Sequence, residues 1–93
     1  MRLIWTRRAT SDLSEIRSYI ARNNPLAASR VAARIRQAVD RLSDHPNLGR
    51  SGREPGTREL VVSRTRYIVA YRTEEESVTI LAVIHGARQW PRL

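Results

Sequence analysis

The apolar residues of this chain change their spacing about halfway along, and this change limits the possible folds more than any other feature. Between Leu13 and Leu42 they recur every three or four residues, which is typical of amphipathic helices. From Arg58 onward they fall in short runs rich in Val, Ile and Tyr, which indicate β-strands. A chain of 93 residues holds enough apolar side chains for one core, so we expect a single domain over 1–93.

Capping and turn residues give these elements their predicted bounds. Ser, Thr and Asn side chains can accept from free N–H groups at a helix start, and proline fits the first helical turn. The predicted elements are a strand over 3–6, a helix that begins at a cap on Thr10 or Ser11 and ends at 23–25, a helix from Pro25 that ends at His45–Pro46, and strands over 58–62, 67–72 and 78–85.

The predicted elements define an α+β fold of order β-α-α-β-β-β. Two helices joined by a short connection pack as an antiparallel hairpin, and short turns make the last three strands antiparallel neighbours. The strand over 78–85 is apolar on both faces, so we expect it at the centre of the sheet with the first strand beside it. The helical hairpin should cover one face of this small, mainly antiparallel sheet.

Every one of the 17 basic residues is arginine, and the net charge is +8. Such a surface favours a polyanion or an acidic protein as partner. A loop over 46–58 holds three of the four glycines, and it lies in the most basic stretch of the chain. We expect this loop and the two following turns to bring six arginines to one side of the sheet. These are Arg50, Arg53, Arg58, Arg64, Arg66 and Arg72, and a separate set, Arg30, Arg34 and Arg41, lies on one face of the second helix.

Other kinds of site have no support in the sequence. The chain has no cysteine and only two histidines, far apart, so we expect no metal site and no disulfide. No glycine-rich phosphate loop is present, and we expect no cofactor. There is no apolar run of 18 residues and no signal-peptide pattern, so we expect a cytoplasmic protein that does not cross a membrane.

Cleavage of RNA needs a base, an acid and cations on the phosphate. Glu54 or Glu59 with His85 could supply the base and the acid, and the arginines could supply the cations. Tyr67 and Tyr71 alternate on one strand face, where we expect them in the core. The residues therefore leave an RNase chemically possible without indicating one.

Several short motifs in a fixed order resemble one known family over nearly the whole chain. They are Ile4-Trp5-Thr6, Asp12-Leu13 with Ile16, His45 to Arg50, Gly52-Arg53, Gly56 to Leu60, Tyr67 to Arg72, and Val83 to Pro91. In this order and at this length the chain resembles the RelE/ParE superfamily of toxins from type II toxin–antitoxin modules, which stabilise plasmids.

The resemblance implies one of two activities. ParE-like members poison DNA gyrase, whereas RelE-like members cut mRNA on the ribosome with a lysine pair and a tyrosine near the C-terminus. This chain has no lysine and reads Arg88-Gln89-Trp90 at that position, which favours a ParE-like inhibitor. Some nuclease relatives use Glu, Arg and His instead, so the alternative is an mRNA endonuclease with Glu54, Arg58 and His85. The candidate residues for binding the target or a phosphate are Arg50, Arg53, Arg58, Arg64, Arg66, Arg72, Arg88 and Trp90.

The resemblance also implies a protein partner, a cognate antitoxin that is ParD-like and encoded beside the toxin. In ParE-like complexes the C-terminal segment of the antitoxin lies along the helical hairpin. An amphipathic helix could dock there. The candidate contacts are Leu13, Ile16, Ile20, Val31 and Ile35.

Overall fold

The computed structural model of the chain describes residues 1–87, and residues 88–93 lie outside the described part. Two helices and five strands follow in the predicted order, with one short strand added. The elements are β1 (Arg2–Trp5), α1 (Arg7–Ala21), α2 (Pro25–Arg41), β2 (Arg50–Ser51), β3 (Arg58–Val61), β4 (Tyr67–Thr73) and β5 (Ser77–His85). Neither helix in residues 1–87 has the length and the hydropathy that a membrane-spanning segment requires.

The strands form one mixed sheet in the order β1-β5-β4-β3-β2. β5 pairs with β4 in an antiparallel register and with β1 in a parallel register, so both of its edges are bonded. This confirms the α+β prediction that the last strand is central and the first strand flanks it. A parallel pair needs a long crossover, and the two helices are part of it.

β2 was not predicted, because it gives almost no signal in the sequence. It consists of two exposed residues, Arg50 opposite Glu59 and Ser51 opposite Arg58. Two residues are too few to show the alternation that marks a strand. Because of this pairing, part of the glycine-rich loop forms an additional edge strand of the sheet.

The main core lies between the helical hairpin and one face of the sheet. Ile35 and Val39 of α2 are fully buried there with Tyr71 and Ile80 of the sheet. Burying a side chain of this size contributes about 1.5–3 kcal/mol, so this layer holds the helices in place. A smaller buried cluster lies on the opposite sheet face and comprises Ile68, Ala70, Ala82 and Ile84.

α1 begins one turn earlier than the sequence pattern predicted. Its N-cap is Thr6, whose hydroxyl accepts a hydrogen bond from the N–H of Ala9 at 3.0 Å. Thr10 and Ser11 lie inside the helix, so the predicted caps were wrong. The reason is that β1 ends at Trp5 and leaves Thr6 in the extended conformation that a cap requires.

Side chains at the start of α1 also bond to an irregularity in β5. Ala70 pairs with Ala82 and Tyr71 with Ile80, which makes Leu81 an extra residue in β5, a β-bulge. The Leu81 carbonyl accepts from the Thr6 hydroxyl at 3.2 Å, and the Val83 N–H donates to the Asp12 carboxylate at 3.0 Å. The helix therefore satisfies backbone groups around the bulge and fixes its own position on the sheet.

Replacing the cap residue tests this arrangement. We expect Thr6→Ala to lower the free energy of unfolding by about 1–2 kcal/mol, because it removes the cap and the bond to Leu81. The matched control is Thr10→Ala, which alters an exposed helix position and should cost little. Urea denaturation followed by circular dichroism measures both changes, and equal losses would contradict the assignment of the cap.

Candidate functional site

The loop that follows α2 is anchored to the sheet by the hydroxyl of Tyr71. This side chain is fully buried, and its hydroxyl donates to the Pro46 carbonyl at 2.8 Å and accepts from the Gly49 N–H at 2.8 Å. Burial raises the pKa of the Tyr71 phenol above its ordinary value of 10.0, although the Gly49 hydrogen bond and the charge of Arg58 act in the opposite direction. The hydroxyl therefore stays protonated and fixes two points of the loop.

Gly49 allows the loop to approach the sheet this closely. A Cβ atom at this position would lie 2.8 Å from the Tyr71 ring and 2.9 Å from the Glu59 carbonyl oxygen, closer than real Cβ contacts. The Gly49 carbonyl accepts from the guanidinium of Arg58 at 2.9 Å. Arg58 was predicted to bind a target or a phosphate, and in the structure its side chain also stabilises the loop.

The tip of the loop closes in a tight turn over residues 54–57. The Thr57 N–H donates to the Glu54 carbonyl at 3.2 Å, and Gly56 has a positive φ of 80°. A proline followed by a glycine at the two central positions is typical of a type II turn. Glu54 is exposed at the first position of this turn.

A buried carboxylate organises two of the arginines. Glu59 is 2% exposed, and it accepts from the Arg53 N–H at 3.0 Å. Its Oε1 lies 3.5 Å from the Arg50 guanidinium and 3.6 Å from that of Arg53. A buried charge is stable only with such partners, so Glu59 holds both guanidiniums near the sheet. Their side chains remain 59% and 40% exposed, so both are accessible to a binding partner.

The six predicted arginines lie at two ends of the sheet and not at one. Arg50, Arg53, Arg58 and Arg72 are near the end of β4 at which Tyr71 pairs with Arg58, and we call them the loop-end cluster. Arg64 and Arg66 belong to the turn between β3 and β4, at the opposite end of β4. The expected convergence was wrong, because consecutive turns of an antiparallel sheet lie at alternate ends.

The predicted acid–base set is not assembled either. His85 pairs with Tyr67, whereas Arg58 pairs with Tyr71, so the two are separated by four residues along β4, about 13 Å. Glu54 lies at the same end as Arg58. The Nδ1 atom of His85 accepts from the Ala87 N–H at 3.1 Å. Glu54, Arg58 and His85 therefore do not form one site, and Glu59, the other candidate base, is bound by two arginines.

A groove lies beside α1 at the His85 end of the sheet. It has a volume of about 650 Å³, and one wall is the polar face of α1. On the other wall the rings of Tyr67 and His85 meet edge to face, with centroids 5.7 Å apart. Tyr19 is 67% exposed at its rim. The lining comprises Arg8, Asp12, Ser14, Glu15, Ile16, Ser18, Tyr19, Arg22, Tyr67, Val83, Ile84 and His85.

The residues predicted to bind an antitoxin are divided between the core and the surface. Ile16 lines the groove, and Ile20 and Val31 are partly exposed. Leu13 and Ile35 are 8% and 0% exposed and pack in the core, so they offer little surface to a partner. Helical spacing identified the apolar face correctly but could not separate its buried centre from its edge.

Sequence reasoning missed the groove position of Tyr19 and the ion pairs of Glu59, and it predicted only a core role for Tyr67, whose ring also lines the groove. A charged residue between Arg58 and Leu60 in a predicted strand is a weak signal for a buried ion pair, and it was available for Glu59. Arg88 and Trp90, which were predicted to bind the target, lie outside the described residues. Over residues 1–87 no three His, Asp or Glu side chains are grouped to hold a metal ion.

Comparison with known proteins identifies close relatives of the whole chain. A family profile described as the ParE toxin of the type II toxin–antitoxin system parDE matches residues 3–90. The protein Y4kP from Sinorhizobium fredii is 48% identical over 99% of this chain and 95% of its own length. Toxin RelE2 from Caulobacter vibrioides is 41% identical over 92% of this chain and 96% of its own length.

The fold also matches a solved structure. A chain from the chromosomal ParDE TA system of P. aeruginosa superposes with a TM-score of 0.83 and 27% sequence identity. The match covers 91% of this chain and 95% of that chain. The helical hairpin and the mixed sheet of this chain therefore form the same fold as that protein of a toxin–antitoxin system.

Removing the Tyr71 hydroxyl tests the anchor of the loop. We expect Tyr71→Phe to lower the free energy of unfolding at pH 7 by about 1–3 kcal/mol, because the buried Gly49 N–H loses its acceptor. Tyr19→Phe, at an exposed tyrosine, is the matched control and should change little.

Tyr71→Phe should also change how the free energy of unfolding depends on pH in the alkaline range. In the unfolded chain Tyr71 loses its proton near pH 10.0, whereas the folded-state pKa is higher, so the free energy of unfolding should fall as the pH rises above 10. The chain has no lysine to titrate in this range. Denaturation curves between pH 8 and 11 should show a steeper fall for the wild type than for Tyr71→Phe. Parallel pH profiles would contradict the role of the buried phenol.

Proposed function

Because the chain belongs to the ParE toxin family of type II toxin–antitoxin systems, we propose that it arrests growth by binding DNA gyrase and not by cutting RNA. One observation carries this proposal, the separation of the acid–base candidates. The candidate base Glu54 lies with Arg58 at one end of β4, and Arg58 is about 13 Å along that strand from the candidate acid His85. A general acid and base must both act within hydrogen-bond reach of one substrate. The described residues therefore favour a binding surface over a catalytic site.

The loop-end cluster is the surface that we assign to the target. Tyr71 and Arg58 hold the loop, and Glu59 holds Arg50 and Arg53, so the guanidiniums are positioned before a partner arrives. A surface that is already ordered loses little conformational entropy on binding. Arginine is also enriched among the residues that contribute most to protein interfaces. These properties suit a stable contact with a large protein.

An assay of DNA supercoiling tests the target. We expect the purified full chain to inhibit supercoiling by gyrase, and the half-inhibitory concentration to rise by about tenfold or more in Arg50→Gln/Arg72→Gln, because arginine anchors typically contribute over 1 kcal/mol each. Arg2→Gln/Arg7→Gln removes the same charge from exposed positions outside the cluster and should inhibit normally.

The outcome that would contradict the proposal is cleavage of mRNA. If the chain leaves gyrase active but cuts mRNA on translating ribosomes, the proposal is wrong and the toxin is an endonuclease. Replacing His85 or Glu54 with Ala would then show whether those side chains take part in cutting. Circular dichroism of each variant verifies that the fold is retained.

The antitoxin segment, on this proposal, binds in the groove beside α1. Ile16 and the rings of Tyr19, Tyr67 and His85 provide apolar and aromatic contacts, and Arg8 and Arg22 provide charge near them. Buried aromatic anchors inside a polar rim are typical of protein interfaces. A helix or an extended segment of the antitoxin could lie along α1 in this groove.

Two exposed apolar residues of the helical hairpin provide a matched test of the groove. Tyr19 and Leu26 are 67% and 62% exposed, but only Tyr19 lines the groove. We expect Tyr19→Ala to weaken binding of the antitoxin encoded by the adjacent gene by about tenfold or more, as for an interface tyrosine, and Leu26→Ala to bind normally. Isothermal titration calorimetry measures both affinities. Weaker binding by Leu26→Ala alone would contradict the assignment.

A further inference from the structure

A stripe of three arginines runs along the outer side of α2. Arg30, Arg34 and Arg41 follow one another at intervals of four and seven residues, which places them within about 40° of each other around the helix axis. The buried residues of α2, from Ala28 to Val39, lie on the opposite side of the helix. Arg30 and Arg41 are exposed, and Arg34 is half-buried. We call these residues the α2 stripe.

The α2 stripe has no carboxylate partner within the described chain. The ion pairs of residues 1–87 involve arginines of α1, β2, the loop after β2 and β4, and none involves α2. Asp40 lies on the same helix, and among residues 1–87 it forms no ion pair with an arginine. Three guanidiniums on one helix face are thus available for an external anion, and arginine can bind phosphate oxygens through two N–H groups at once.

The surroundings of the α2 stripe favour a nucleic acid over a protein. Leu26 is the only exposed large apolar residue of α2, and it lies on the same face one turn before Arg30, at the end of the stripe and not at its centre. A protein partner would need apolar or aromatic anchors at the centre of the contact. α2 also has no aromatic residue, and single-stranded nucleic acids are bound largely by stacking on aromatic rings. The remaining partner class is a duplex bound through its phosphates.

The length of the stripe fits a duplex backbone. Eleven residues of helix separate Arg30 from Arg41, about 16.5 Å at 1.5 Å per residue. A DNA strand carries one phosphate for about every 3.4 Å of duplex axis, so several phosphates fall within this length. We propose that the α2 stripe binds the phosphate backbone of duplex DNA without reading its sequence. This surface lies on the helical layer, apart from the loop-end cluster and the groove.

The salt dependence of DNA binding tests the proposal. Fluorescence anisotropy with a labelled 20-base-pair duplex measures the affinity of the full chain between 50 and 200 mM NaCl. In Arg30→Gln/Arg34→Gln/Arg41→Gln we expect the slope of log affinity against log salt to fall by about 2 to 3, and the affinity at 100 mM to fall by at least about tenfold. Glutamine retains helix propensity, so α2 should persist.

A control variant with the same net charge separates the stripe from the overall charge of the protein. Arg2→Gln/Arg7→Gln/Arg36→Gln also removes three arginines, all of them exposed, and Arg36 lies on α2 about 140° from the stripe. This variant should retain most of the affinity. Equal losses in both variants, an unchanged slope in the stripe variant, or tighter binding of single-stranded RNA would each overturn the proposal.

A last measurement tests whether the α2 stripe binds the antitoxin instead of DNA. If the stripe variant binds DNA normally but binds the antitoxin at least about tenfold more weakly, the stripe is a protein contact and the DNA proposal is wrong. The DNA assay contains no gyrase, so its outcome is independent of the function proposed above. Each proposal can therefore fail without the other.

Discussion

The hydrogen bonds of one buried phenol connect the core of this protein to its exposed cationic surface. Tyr71 belongs to the main core, yet its hydroxyl bonds to the backbone at Pro46 and Gly49. The β5 bulge lies opposite the same point of β4, and α1 is bonded to it through Thr6 and Asp12. Helix, sheet and loop therefore meet around a single residue. A displacement of Tyr71 would disturb both the packing of α1 and the position of the arginines.

The use of arginine around Glu59 and the Gly49 carbonyl is consistent with this architecture. Glu59 is buried with its charge, and it needs donors that reach it while keeping their outer surface in water. The guanidinium is planar and carries several N–H groups, so one edge can bond to Glu59 or to the Gly49 carbonyl while the others remain accessible. An ammonium group offers a compact point charge without this separation of edges. The loop-end cluster is thus both part of the fold and a candidate contact surface.

The sequence predicted most of the fold and less of the site. Apolar spacing predicted both helices, and the apolar faces of β5 predicted its central position, because burial leaves a periodic pattern. The cap of α1 at Thr6 was missed because Thr10 and Ser11 have the same chemistry, and only the end of β1 distinguishes them. The separation of His85 from Arg58 depends on which strand ends are adjacent. Pairing across the sheet relates residues distant in the chain, and a single sequence contains no direct signal of it.

The parallel pairing of β1 with β5 has a consequence for how the chain acquires its structure. Thr6 bonds to Leu81 across a separation of 75 residues, and α1 packs on the same late strand. Contacts between such distant segments close a large loop and slow folding. During synthesis both helices emerge from the ribosome well before the strand on which α1 packs. The apolar face of the N-terminal half therefore stays uncovered during this time, and the folded domain forms only after β5 has been synthesised.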